Sequence, residues 1–419
     1  MSSPPSGAPE TPGAPEIAER TGFRASGPAY MATIAVGHGF KHWYLAAFAV
    51  FLPLIEREYA MSALAISAFV TVRSAGAGLP NFFAGYVADR LHRHWAVMLP
   101  VSFLAVALAM MLAGFLTWVW GVALAFSLAA MAASFWHPPA ISMLSSRFAQ
   151  RRGMAIAFHG AGSGAGEALG PLGVGLILVA LLNDDWRFYV LVSAAPAVVL
   201  AVALYWMLSG APPIARPKST EPVRLRDFFT LLRYPVYRTL AYANFSRSFA
   251  HFGLLVFLPL YLANDLGMDS RGVGFHIALL TLLGVPVGPL FGYLSDRIGR
   301  RIPLVVAMGA IAVGMAAMGI AGSGVPLMIA IAFTGVFLWT VQDVTNAAAM
   351  DSAPPNAQGT VVGFMFATSF VAGLIAPVLA GVLVSVTGDR ASVFFLSAAV
   401  MVPVPLVMAF APLRRRTAG

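Results

Sequence analysis

Apolar runs long enough to cross a bilayer, about 20 residues each, recur twelve times along this chain. They lie near 29–55, 63–88, 95–117, 119–146, 153–182 and 187–208, then near 239–264, 271–295, 302–322, 326–350, 359–386 and 391–412. Backbone groups in lipid must bond within their own segment, so spans of this kind are helices. Hydrophobic residues make up 59% of the chain and charged residues 10%, against about 25% charged in a soluble domain. The expected fold is an all-α membrane protein, surrounded by the lipid bilayer. There is no cysteine, which rules out disulfides, thiolate metal sites and a cysteine nucleophile.

Residues 1–28 are rich in Pro, Ala, Gly and Ser, the composition of a disordered tail without the apolar core of a signal peptide. A polar linker at 209–238 carries Pro212, Pro213, Pro217 and Pro222, and a basic tail closes the chain at 413–419. Twelve spans put both ends of the chain on one side. Nineteen Lys and Arg residues fall on that side and four, Arg57, Arg187, Arg271 and Arg390, on the other. Cytoplasmic loops are the Lys/Arg-rich ones, so both termini are expected in the cytoplasm and the protein in the cell inner membrane. The net charge of +9 is then explained by topology and anionic lipid, with no nucleic-acid surface.

The chain also repeats itself at half its length. Gly85-Tyr86-Val87-Ala88-Asp89-Arg90-Leu91-His92-Arg93-His94 returns as Gly292-Tyr293-Leu294-Ser295-Asp296-Arg297-Ile298-Gly299-Arg300-Arg301. Val50-Phe51-Leu52-Pro53-Leu54 returns as Val256-Phe257-Leu258-Pro259-Leu260, and Gly153, Pro171 and Gly175 return as Gly359, Pro377 and Gly381. Two homologous six-helix bundles follow, 29–208 and 239–412, related by an axis along the membrane normal. The decapeptide resembles the loop signature of the major facilitator superfamily. That resemblance implies a transporter with its substrate site between the bundles near mid-membrane. It implies a conformational latch at Gly85, Asp89, Arg90, Gly292, Asp296, Arg297 and Arg300. The first copy departs from the signature at His92 and His94.

In the fifth span, Gly166, Gly170 and Pro171 lie in a glycine-rich run that resembles the antiporter motif of superfamily exporters, with Val174 in place of a glycine. Packing of small residues against a neighbouring helix explains the same run. Trp136-His137-Pro138-Pro139, which breaks the fourth span, resembles the Phe-His-Pro segment of the fosmidomycin-resistance branch.

Ionisable groups deep in a span are costly, and so point to a cavity or to function. The acids there are Glu167 and Asp343, expected to carry protons. The cations are Lys41, Arg73 and Arg247, joined by His38, His42, His137, His159 and His251. Lys41 and Arg247 are 206 residues apart, the repeat offset, so they hold equivalent places in spans 1 and 7. His38 shares a helix face with Lys41, and Asn244 and His251 share one with Arg247. Together with His42, Arg73 and His137 they are the expected substrate contacts, suited to an anion. Structural ion pairs, Arg73 with Glu167 or Arg247 with Asp343, would account for the same residues. No phosphate-binding loop, nucleophile–base motif or close set of metal ligands is legible, so neither an enzyme nor a cofactor is expected.

The reading is a monomeric secondary transporter working by alternating access, exporting a small anionic or amphipathic compound against protons. An organic-anion importer or proton symporter would use the same basic cavity. A membrane scaffold or sensor without flux is the reading from another class.

Overall fold

The computed structural model describes residues 26–82, 87, 90–91, 94–209, 229–353 and 358–413. Of the expected segments, the tails up to Ala25 and from Arg414, and 210–228 of the linker, lie outside these residues.

The described chain is helical, with no strand. In the first half run α1 (Gly27–Glu58), α2 (Ala63–Gly78), α3 (Trp95–Phe115), α4 (Val119–Ser134), α5 (His137–Arg147), α6 (Arg152–Leu181) and α7 (Trp186–Leu208). In the second run α8 (Pro235–Leu260), α9 (Ser270–Leu282), α10 (Gly284–Ile298), α11 (Arg301–Ala321), α12 (Gly324–Asp351), α13 (Gln358–Thr387), α14 (Ser392–Met401) and α15 (Pro403–Ala409). The pairs α4–α5, α9–α10 and α14–α15 each form one broken span.

Among the described residues, ten helical stretches are long and apolar enough to cross a membrane. The first two of the twelve expected spans are not among them. α1 is 32 residues long but carries His38, Lys41 and His42. α2 is apolar but only 16 residues long. Its helix gives way to a 3-10 turn over Leu79–Phe82, where Pro80 lacks the N–H that α-helix would need.

Helix starts are set by side chains that accept otherwise unmet N–H groups. Ser26 accepts from Ala29 at 3.3 Å and Ser62 from Ala65 at 3.2 Å. Asp185 accepts from Phe188 at 2.9 Å and Asp269 from Gly272 at 2.8 Å.

Each half builds its own apolar core. Phe51, Phe69, Phe103 and Trp136 are fully buried in the first, and Leu258, Met308, Ile331 and Met401 in the second. The halves meet along two seams. Gly175 of α6 lies on the start of α9, where a Cβ would stand 2.3 Å from the Ser270 carbonyl oxygen. Its repeat counterpart Gly381 of α13 lies on α2, where a Cβ would stand 2.2 Å from Ser67 Oγ. The seams are therefore copies of one another about the axis inferred from the repeat.

Candidate functional site

α1 and α6 pack closely enough to bring a polar cluster together in the middle of the first half. A Cβ on Gly166 would stand 1.9 Å from the Gly39 carbonyl oxygen, so only glycine allows this approach. The approach places Glu167 beside His42, whose Nδ1 lies 2.7 Å from Glu167 Oε1. Lys41 Nζ is 3.1 Å from His42 Nε2. His38 Nδ1 donates to the His159 carbonyl at 2.7 Å, and its ring stacks on His159 with centroids 3.6 Å apart. His137, at the break between α4 and α5, turns its Nε2 to within 3.1 Å of His38 Nε2. Trp136 donates to His159 Nε2 at 3.2 Å. His38 and Lys41 are buried, whereas His42 and Glu167 keep 15% and 20% of their side-chain surface open.

The sequence expectation that Glu167 is paired with Arg73, one of two left open, is not met: the partner of Glu167 is His42. Arg73 instead donates to the Leu45 carbonyl at 2.8 Å and lies over the Phe48 ring at 4.1 Å. His159 and Trp136 complete the cluster and were not among the expected contacts. No signal in spacing shows this convergence, because His38 and His137 are 99 residues apart.

The second half holds a different cluster, between α8 and α12. Arg247 is buried and donates to Ser248 Oγ at 2.9 Å and, weakly, to the Leu338 carbonyl at 3.4 Å. Among the described residues no ion pair within 4 Å joins it to Asp343, which is exposed. The fixed Arg247–Asp343 bridge is thus absent as well. Asn244 donates to the Met365 carbonyl at 2.9 Å and to Thr368 and Ser369. His251 packs edge-on against Trp339, centroids 5.2 Å apart. Five buried polar atoms here have no hydrogen-bond partner among the described residues: Asn244 Oδ1, Arg247 Nε, His251 Nδ1, Trp339 Nε1 and Gln342 Oε1. Trp339 and Gln342, one turn apart on α12, were not singled out in the sequence, since neither is ionisable.

Comparison with known proteins places this architecture. The sequence profile of the Major Facilitator Superfamily matches residues 34–377, with a further match over 240–419. The chain belongs to the Major Facilitator Superfamily. Members of this superfamily are membrane transporters and not enzymes. The chain is 25% identical over 346 residues to the multidrug efflux protein YfmO of Bacillus subtilis, covering 79% of this chain and 80% of that protein. It is 22% identical over 390 residues to the hexuronate transporter of the same organism, covering 84% and 86%. The fold matches a bacterial homologue of the human lysosomal transporter Spinster, solved in an inward-facing, unoccupied conformation. That match has a TM-score of 0.69 at 14% identity and covers 92% of this chain and 95% of the other.

In this superfamily member the halves are fastened at one end. The C-terminal end of α1 is locked to the other half there. Arg57 donates to Asn264 at 3.2 Å and to the Ala263 carbonyl at 3.1 Å, and Asn264 donates to Glu56. Arg390 bridges Glu56 at 3.1 Å and Asp265 at 3.3 Å. The second repeated loop joins α10 to α11. Gly85 and Asp89 fall outside the described residues, and Arg90 is exposed. In the second copy Arg300 binds Asp296 at 2.6 Å and Asp351 at 2.9 Å, while Arg297 covers the Tyr293 ring at 4.7 Å. These contacts tie α10, α11 and α12 within one half.

Proposed function

We propose that this chain is a secondary transporter that exports a small anionic or amphipathic compound by alternating access, coupled to protons. The observation that carries the anionic cargo is Arg247. A guanidinium buried in a membrane span with no carboxylate within 4 Å costs several kcal/mol, and its Nε still lacks an acceptor. Trp339 Nε1 is a second unmet donor on the facing helix. A carboxylate or phosphonate is an acceptor for donors of this kind, and Arg holds such groups by two parallel bonds. The hexuronate transporter among the relatives supports an anionic cargo, and the multidrug efflux protein supports outward movement. Protons are assigned to the His42–Glu167 pair, because carboxylate–histidine pairs in membrane spans serve as relays. The Lys/Arg distribution supports a cytoplasmic side for both termini and for the repeated loops.

The test is transport by reconstituted vesicles across a panel of organic acids, phosphonates and neutral analogues, with and without a pH gradient. Outward movement of an anion driven by inward protons is expected. Tight binding of a neutral or cationic compound, with none of an anion, would refute the anionic cargo. Accumulation inside the vesicle with entering protons would replace export by symport. No flux of any solute would favour a sensor on this fold.

A further inference from the structure

The histidines of the first half are arranged in a way that proton transfer alone does not explain. His38 and His42 lie one turn apart on α1, and His137 projects from the break after α4. The three Nε2 atoms face one another: His38 is 3.1 Å from His137 and 3.1 Å from His42. All three ligand atoms lie within 4.8 Å of each other. Their tautomers follow from what holds the opposite nitrogens. A carbonyl oxygen only accepts, so His38 Nδ1, 2.7 Å from the His159 carbonyl, carries the hydrogen. With Glu167 ionised, its carboxylate only accepts, so His42 Nδ1, 2.7 Å away, carries one too. Neutral imidazole has a single N–H, so the Nε2 atoms of His38 and His42 both present lone pairs, at 3.1 Å, with no hydrogen between them.

We propose that His38, His42 and His137 form a binding site for a divalent transition-metal ion of the zinc class. A cation among the three nitrogens turns facing lone pairs into bonds. Nitrogens bound to one tetrahedral zinc at ~2.0–2.1 Å lie about 3.4 Å apart, close to the two 3.1 Å separations from His38. The supports match what metal-binding histidines use: one ring held by a backbone carbonyl, one by a carboxylate. Three imidazoles suit zinc, copper, nickel or iron, whereas calcium and magnesium require oxygen ligands. Three protein ligands leave a position for water or for an anionic group. The rings are reachable, since His42 and Glu167 remain partly open. Lys41 is the built-in competitor: its ammonium donates to the same His42 Nε2 at 3.1 Å, and its charge opposes a dication. This site is independent of the Arg247 cluster.

The experiment uses full-length protein carrying an affinity tag without histidines, stripped of metal in detergent. Zn²⁺ binding is followed by calorimetry and Co²⁺ binding by its visible absorption. One ion per chain is expected, with Kd at or below about 10 µM and nitrogen-ligated tetrahedral Co²⁺ bands. His137→Ala should weaken binding by at least about a hundredfold, and Glu167→Gln by about tenfold. Lys41→Met should tighten it about tenfold, a gain that a misfolded variant cannot imitate. Absence of Co²⁺ or Zn²⁺ binding by the wild type at about 0.1 mM would overturn the proposal. So would one-to-one binding that His137→Ala leaves unchanged, or weaker binding by Lys41→Met.

Discussion

Arg247 and Glu167 bear the two halves of the transport proposal, and each makes its own prediction. Arg247→Ala should weaken binding of an anionic substrate by at least about 2 kcal/mol, seen in equilibrium binding by the purified protein. Arg247→Lys should restore only part of it, because the planar fork is lost. If Arg247 served instead as a structural partner of Asp343, the Arg247→Ala, Asp343→Ala double variant would recover what each single variant loses. Glu167→Gln keeps the volume and a hydrogen-bonding oxygen but cannot release a proton. It should abolish accumulation on a pH gradient and leave substrate exchange between the two sides intact. Concentrative transport by this variant would put the coupling group elsewhere. Residues of this kind were legible in the sequence, since an ionisable group in an apolar run is conspicuous by its cost. Their partners were not. Which of several cations meets Glu167 depends on helix rotation and on the approach of α6 to α1, and neither is encoded in spacing. Polar groups without charge, such as Trp339 and Gln342, gave no warning at all.

At the level of helices, the glycines of α6 decide how near its neighbours come. Gly166→Leu would place side-chain atoms where the Gly39 carbonyl now sits. The helices must separate, and overpacking of this kind costs about 1–3 kcal/mol. The Glu167–His42 contact should be lost with it, so the variant should combine a lower melting temperature with impaired proton coupling. An unchanged melting temperature would mean that α1 yields more readily than its packing suggests. The existence of the spans was readable from hydropathy, and so was the break ahead of Pro138 and Pro139. The breaks at Leu283 and Val402 were not expected. Proline by itself does not announce them, because Pro53, Pro100 and Pro171 sit inside helices that continue. A helix tolerates the lost hydrogen bond where its neighbours or a bend take up the freed carbonyl.

For the whole molecule, the closed end depends on charges and the seams depend on backbone contact. Glu56 is buried and receives bonds from Asn264 and Arg390. Glu56→Gln removes charge-assisted bonds worth roughly 1.5–3 kcal/mol. The population closed at this end should fall by tenfold or more, measured as a change in distance distribution between spin labels on the two halves. An unchanged distribution would show that packing alone holds the end shut. Orientation in the membrane is testable in the same cysteine-free chain. A cysteine at Lys218 should react with an impermeant reagent only from the cytoplasmic face, and one at Ser323 only from the opposite face. The reverse pattern would invert the topology. The repeat also limits what the two seams can do. An axis running along the membrane normal exchanges the halves but never the two faces of the bilayer, so both seams part at the same end together. A molecule of this symmetry cannot reach its opposite-facing state by trading the conformations of its halves. That state has to be held by contacts of its own, at the end opposite the Glu56–Arg390 lock. The balance between the two orientations is therefore a quantity the loop residues can set independently, without altering the walls of the path.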